Sequence, residues 1–165
     1  MKEAYVFSTI SAEDCKEIVD IFNYYIEHSY AAYPEQRVSV DFCAMMMAQC
    51  SRYPSVTIKT QDGKIVGFGF LHAHNPRPAF SRTAEITYFI RPEMTGKGIG
   101  SQMLALLETS AKKCNISVIL ANISSKNTGS IRFHQKNGFI ECGRFRNVGE
   151  KKNELFDTVW MQKEI

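Results

Sequence analysis

The sequence predicts a single-domain mixed α/β fold: a mostly antiparallel sheet with one parallel strand pair. Three observations carry this. The 165 residues fit one domain at roughly 150 residues per domain. Two β-rich runs flank an Asp62-Gly63 turn, which makes them an antiparallel hairpin. A strand, a glycine-rich turn, a helix and another strand then follow between residues 83 and 123. That order requires a right-handed crossover and a parallel pair.

Each element has its own signal. After a short strand near Tyr5–Ser8, Ser11 is placed to cap a helix, with Asp14 at capping-box spacing. Cys15, Ile18, Val19, Phe22 and Ile26 then form one helical stripe. A second helix starts at Ser39 and carries Phe42, Met45, Met46 and Cys50 on its apolar side; its three consecutive methionines suit core packing or an adaptable pocket wall. The hairpin joins Val56–Thr60 to Ile65–Ala73, and the loop Asn75–Arg82 leads to a strand at Thr83–Ile90 that Arg91-Pro92 stops. Met103, Leu104, Leu107 and Ala111 share a helix face, Ser117–Ile123 is a strand, and a short helix runs from Asn127 to Lys136 with Gly138 ending it. Two closing strands make a last hairpin.

Composition excludes several function classes. Hydrophobic residues make up 44% and charged residues 22%, ordinary globular values that argue against disorder, collagen and coiled coil. Lys plus Arg number 20 against 17 Asp plus Glu, a balance of +3 with the basic residues scattered, whereas nucleic-acid binding needs a clustered basic stripe. The five cysteines lack a C-x-x-C pair and read as small buried hydrophobes rather than disulfides or a zinc knuckle. His72 and His74 share a strand face without a third ligand, so no metal is expected. The start of the chain lacks a signal-peptide core and no run approaches the ~18 apolar residues of a membrane span. A soluble protein of the reducing cytoplasm is expected.

The strongest chemical signal is the turn Gly96-Lys97-Gly98-Ile99-Gly100 between a strand and a helix. Glycines at alternate positions admit close approach and conformations barred to other residues. Successive N–H groups before a helix N-terminus form a concave anion site, and Lys97 adds charge. A phosphate or pyrophosphate fits; so does a plain tight connection. Neither the spacing of a Walker A loop nor that of a dinucleotide fingerprint is present.

Two motifs together resemble the GNAT superfamily of acyl-CoA-dependent N-acetyltransferases. Thr95-Gly96-Lys97-Gly98-Ile99-Gly100 is similar to its [QR]-x-x-G-x-[GA] signature, with Thr95 in the place of Gln or Arg. Asn127, Ser130, His134, Lys136, Gly138 and Phe139 match N-x-x-[AS]-x-x-x-[YH]-x-K-x-G-F. Within the superfamily, the segments from Arg77 to Gly100 and from Gly143 to Gln162 resemble the phosphinothricin acetyltransferase-like branch. Ser81 stands where that branch has an arginine, and Asn153-Glu154-Leu155 replaces its Gly-x-Trp.

The resemblance implies a fold with helices on both faces of the sheet and acetyl-CoA in a cleft where Thr83–Ile90 splays from Ser117–Ile123. Backbone groups of Tyr88, Phe89 and Ile90 would pair with the pantetheine amides. Gly96, Lys97, Gly98, Ile99, Gly100 and Ser101 would hold the pyrophosphate, and Asn127, Ser130 and Lys136 would complete the cofactor site. Transfer needs an uncharged amine, and deprotonating a lysine-like amine at pH 7 costs about 4.6 kcal/mol. Glu85 is the candidate base, His134 the candidate acid toward the leaving thiolate, and transfer is direct, without an acyl-cysteine. Tyr33, Arg77, Phe80 and Arg82, with Glu85, would wall the acceptor pocket, with Glu85 free to pair with Arg77 or Arg82; adjacent strand positions face opposite ways, which makes Arg82 a poor stand-in for the arginine missing at Ser81. The expected partner is a small amino-acid-like amine of the phosphinothricin or methionine sulfone type, with a homodimer implied. Transfer to a protein N-terminus, a lysine or a polyamine is the alternative within enzymes. A catalytically silent acyl-CoA sensor is the alternative outside them.

Overall fold

The computed structural model describes residues 4–165. Seven strands form one sheet: β1 (Val6–Ser8), β2 (Ser55–Lys59), β3 (Ile65–Ala73), β4 (Thr83–Ile90), β5 (Val118–Ser124), β6 (Ile140–Lys151) and β7 (Glu154–Glu164). Their order across the sheet is β1-β2-β3-β4-β5-β7-β6. β4 and β5 pair in parallel, and every other neighbouring pair is antiparallel. The predicted mixed topology therefore holds.

Period-two alternation divides β4 between two helical layers. Ala84 and Ile86 pack with α3 (Ile99–Lys113), whose buried Met103, Leu104, Leu107 and Ala111 lie in the same core as predicted. Phe89 faces the other way, onto α1 (Cys15–His28) and α2 (Val40–Gln49). α4 (Thr128–Lys136) lies on the α3 side, where Ile131 and Phe133 pack against the larger core. Helices thus cover both faces.

Local chemistry sets the boundaries. Asp14 accepts the Ser11 N–H at 2.9 Å, the expected capping-box arm, and a short 3-10 turn (Ala12–Asp14) precedes α1. Asn127 Oδ1 accepts the Ser130 N–H at 3.2 Å and caps α4, and Gly138 ends it at φ +88°. The β6–β7 turn places Lys152 and Asn153 at φ +54° and +59°, the two left-handed positions of a type I′ hairpin.

Three expectations need correction. Cys15 and Cys43 form a disulfide across α1 and α2 with Cα atoms 5.5 Å apart; the helices bring together residues whose separation along the chain gives no hint of pairing. Met45 is 60% exposed, because the stripe that faces the sheet from α2 is Cys43 and Met46. Cys114 and Cys142 are exposed rather than buried. Among the described residues no helix is long and apolar enough to cross a membrane.

Candidate active site at the strand splay

β4 and β5 part company partway along their length. Their pairing runs Thr83–Val118, Ala84–Ile119 and Glu85–Leu120 and stops there, while both strands continue. Arg91 N–H bonds Val66 C=O at 2.8 Å, which makes Arg91 and every second residue before it hydrogen-bond toward β3. Tyr88 and Ile90 consequently turn their backbone groups toward the gap, and Phe89 turns its own toward β3. The Ile90 carbonyl is taken by the Tyr25 hydroxyl at 2.6 Å. Of the three residues expected to offer backbone to a pantetheine, Phe89 is therefore bonded to the sheet instead. The gap opens into a cavity of about 540 Å³, lined by Ile86 through Ile90 on one wall and Ala121 through Ser124 on the other.

The glycine turn closes one end of this cavity. Gly96 and Gly98 have φ +76° and +81°, the left-handed region that favours glycine, and a Cβ at either would meet open space. Gly98 is the N-cap of α3, and the first helical bond runs from Gln102 N–H to Gly98 C=O. The N–H groups of Ile99, Gly100 and Ser101 therefore have no acceptor within the helix and lie at the positive end of its dipole. Gly100 serves packing: a Cβ there would come within 3.1 Å of the Phe133 ring. Thr95, Gly96, Gly98, Gly100 and Ser101 line the cavity. Lys97 is exposed at its rim, and the Ile99 side chain is 1% exposed in the core, leaving Ile99 only its N–H to offer.

α4 supplies the opposite wall with Asn127, Ser130, His134 and Lys136. His134 is 3% exposed. Its Nδ1 lies 2.7 Å from the Ser130 carbonyl, and a carbonyl only accepts, so Nδ1 carries the proton. Nε2 then accepts from the Tyr88 hydroxyl at 2.6 Å. Burial lowers the His134 pKa from its usual 6.5 and raises that of the Tyr88 hydroxyl well above 10. At pH 7 the ring is neutral and has both nitrogens engaged, so it holds no spare proton for a leaving group. The polar hydrogen at this wall belongs to Tyr88.

On the α1–α2 face, Glu85 stands at the last rung before the splay. Its Oε1 lies 2.8 Å from His74 Nδ1, and the His74 ring in turn packs edge-on to Trp160 and Phe80, each with a centroid distance of 6.1 Å. Tyr33 donates its hydroxyl to Asn122 Oδ1 at 2.6 Å and stacks on Phe156 at 5.5 Å; desolvation pushes its pKa up to about 12. Phe80 and Glu85 thus meet through His74, Tyr33 is tied to Asn122, and of these only Asn122 lines the cavity. Arg77 is exposed on the loop, and Arg82 is exposed in the turn that precedes β4. Asn122, Tyr25 and Phe133 escape the sequence reading, and His74 enters it only as a rejected metal ligand; Glu85 and His74 are eleven residues apart, and no local spacing announces their pairing.

A parallel pair that splays beside a glycine-capped helix defines an acyl-CoA-type transferase site. The unpaired Tyr88 backbone offers a strand edge to an amide-bearing arm, and the open space over Gly96 and Gly98 beside free helix N–H groups suits a diphosphate. Residues 7–160 match the acetyltransferase (GNAT) domain family, to which this chain belongs. It is an N-acetyltransferase, and acetyl-CoA is its acetyl donor. The chain is 29% identical over 157 residues to the L-amino acid N-acyltransferase MnaT of Escherichia coli K12, covering 92% of this chain and 89% of that protein. It is 28% identical to the phosphinothricin N-acetyltransferase of Alcaligenes faecalis, over 93% of this chain and 79% of that one. A solved phosphinothricin acetyltransferase of Sinorhizobium meliloti in complex with acetyl-CoA superposes with a TM-score of 0.92 at 25% identity, over 100% of this chain and 89% of that one.

Proposed function

We propose that the whole chain acts as one acetyltransferase domain that transfers an acetyl group directly to the primary amine of a small amino-acid-like substrate. The observation that carries this is Glu85, a carboxylate at the vertex of the splay whose partner His74 packs against Phe80 and Trp160. Relatives named for L-amino acids, for methionine sulfone and for phosphinothricin support the same substrate class.

Acetyl-CoA, when bound, supplies a thioester whose acyl carbon an uncharged amine attacks while the thiolate leaves. The backbone of Ile86, Tyr88 and Ile90 and the N–H groups from Gly96 to Ser101 would hold it, with Asn127, Ser130 and Lys136 at the far wall. Lys97 adds positive charge at the rim. Glu85 takes the proton from the acceptor ammonium, directly or through water. His74 holds the carboxylate in one orientation. The Tyr88 hydroxyl spends its one hydrogen on His134 Nε2, so the sulfur leaves as a thiolate without a proton from either group. His134 in this reading holds Tyr88 at the cleft wall rather than acting as a free acid. Tyr33, Phe80 and Arg77 bound the acceptor, and Arg77 is the exposed cation for its carboxylate.

A cytoplasmic homodimer belongs to the same reading. β6 is an edge strand exposed along nearly all its length, with Ile140, Phe145 and Val148 at 60% exposure or more; an unpaired apolar edge invites a second copy. Light scattering at micromolar concentration tests that state. The function itself is tested by thiol release from acetyl-CoA against a panel of amino acids and their analogues, expected with at least one member. Acetyl-CoA binding without release from any amine, peptide or polyamine would replace the enzyme reading with the sensor.

A further inference from the structure

Lys151 is 1% exposed, among the most deeply buried side chains of the protein. Its ammonium donates to the Ser29 carbonyl at 2.7 Å and to the Ala32 carbonyl at 2.6 Å. A buried cation held by two backbone carbonyls is an expensive arrangement, and no step of acetyl transfer uses it. Its two acceptors belong to the segment between α1 and α2, where no helix or sheet satisfies them.

We propose that Lys151 is a positioning residue for the acceptor side of the site: it fastens the segment Ser29–Ala32 so that Tyr33 stands against Asn122 at the wall of the cleft. The two carbonyls are three residues apart, so one ammonium fixes both ends of a single turn of chain. Ala31, between them, lines the cavity. Tyr33 follows directly, reaching Asn122 on β5. The rest of the hairpin tip repeats the attachment. The Lys152 N–H donates to the Glu35 carboxylate at 3.0 Å, the Lys152 ammonium reaches the Glu27 carbonyl, and Glu154 accepts from the Tyr30 hydroxyl at 3.0 Å and pairs with Lys126. Phe156, on which Tyr33 stacks, lies over Gly149, where a Cβ would come within 2.2 Å of its ring. The β6–β7 hairpin therefore grips the acceptor loop at several points, with Lys151 the buried one. Burial lowers the Lys151 pKa from 10.5, helped by the nearby Lys152 and opposed by Glu35.

The kinetic arm of this proposal rests on the amine-acetyltransfer reading; a second arm does not. Lys151→Met is expected to raise the KM for the acceptor amine about tenfold, since a charge-assisted hydrogen bond is lost at a loop that meets the acceptor. Acetyl-CoA affinity should stay within about twofold, because the glycine turn and α4 lie elsewhere. Lys151→Arg, which keeps the cation, should recover part of the acceptor KM. Hydrogen exchange supplies the second arm: amides of residues 29–33 should exchange faster in Lys151→Met while those of β4 and α4 keep their protection. An unchanged acceptor KM in folded Lys151→Met, or equal loss of acceptor and cofactor affinity, overturns the proposal. If Lys151→Met does not fold, Lys151→Gln, which removes the charge, decides, through both its acceptor KM and the exchange of residues 29–33. If the wild type transfers to no amine, the reading of function fails separately, and unchanged exchange in residues 29–33 would still reject the clamp.

Discussion

Glu85 takes His74 as its hydrogen-bond partner, Oε1 to Nδ1 at 2.8 Å, at the rung where β4 and β5 cease to pair. The pairing differs from the arginine partners that the sequence offers in Arg77 and Arg82. It leaves Glu85 its second carboxylate oxygen, which accepts no hydrogen bond from another protein group among the described residues. That oxygen is the one available to an ammonium.

Glu85→Gln should lower kcat by about 10²–10⁴, the range of a lost general base, with acetyl-CoA binding preserved. The loss should be deepest for acceptors whose amine is most basic, since those need deprotonation most. Steady-state rates across pH with two acceptors of different amine pKa check this; a Gln variant with the wild-type profile would remove Glu85 from the chemistry.

His134 predicts an acid-side loss of stability. Its folded pKa lies below the unfolded value of about 6.5 because burial disfavours the cation. The unfolded chain therefore binds this proton first as pH falls. The contribution of His134 is fully present above pH ~6.5 and is lost as pH drops from there toward the folded pKa. Thermal melts at pH 7.5 and 5.5 should show a smaller pH effect in His134→Gln than in the wild type. Equal slopes would mean that the ring is not held neutral by its surroundings.

Gly98 ties backbone conformation to cofactor affinity. Its φ of +81° makes any side chain there costly by about 1–2 kcal/mol, yet a Cβ would touch no protein atom. Gly98→Ala should thus lower stability modestly, while Gly98→Val should abolish acetyl-CoA binding by filling the space over the helix N-terminus. Calorimetric titration of folded Gly98→Val decides it, and wild-type affinity there would place the diphosphate elsewhere.

The legible parts of this protein are those whose physics is local. The Asp62-Gly63 turn, the Ser11–Asp14 cap, the α3 stripe and the Asn127 cap each follow from neighbours within a few residues, and each forms as expected. The glycine turn is legible for the same reason, because strand, turn and helix are consecutive. What escaped depends on contacts between distant segments. Glu85 with His74, Lys151 with Ser29 and Ala32, and Cys15 with Cys43 are set by how layers pack. The neutrality of His134 escaped too, because its cause is enclosure by Tyr88, Phe133 and Phe139, whose rings surround it only after α4 docks.

The Cys15–Cys43 bond closes a segment with a sequence separation of 28. The chain-entropy relation gives such a loop about 3–4 kcal/mol of stabilisation, which for a protein of this size corresponds to a fall in Tm of roughly 6–16 °C on reduction. Cys50, Cys114 and Cys142 remain as thiols. Unfolding without reductant should therefore release three titratable thiols per chain, and unfolding with reductant five. The double variant Cys15→Ala/Cys43→Ala should melt at a temperature that reductant no longer changes. Both ends of the bond lie in the core that α1 and α2 share against β3, so its loss should loosen the acceptor side and leave acetyl-CoA affinity nearly constant. Five thiols from protein unfolded without reductant would show that the two sulfurs are neighbours and not bonded.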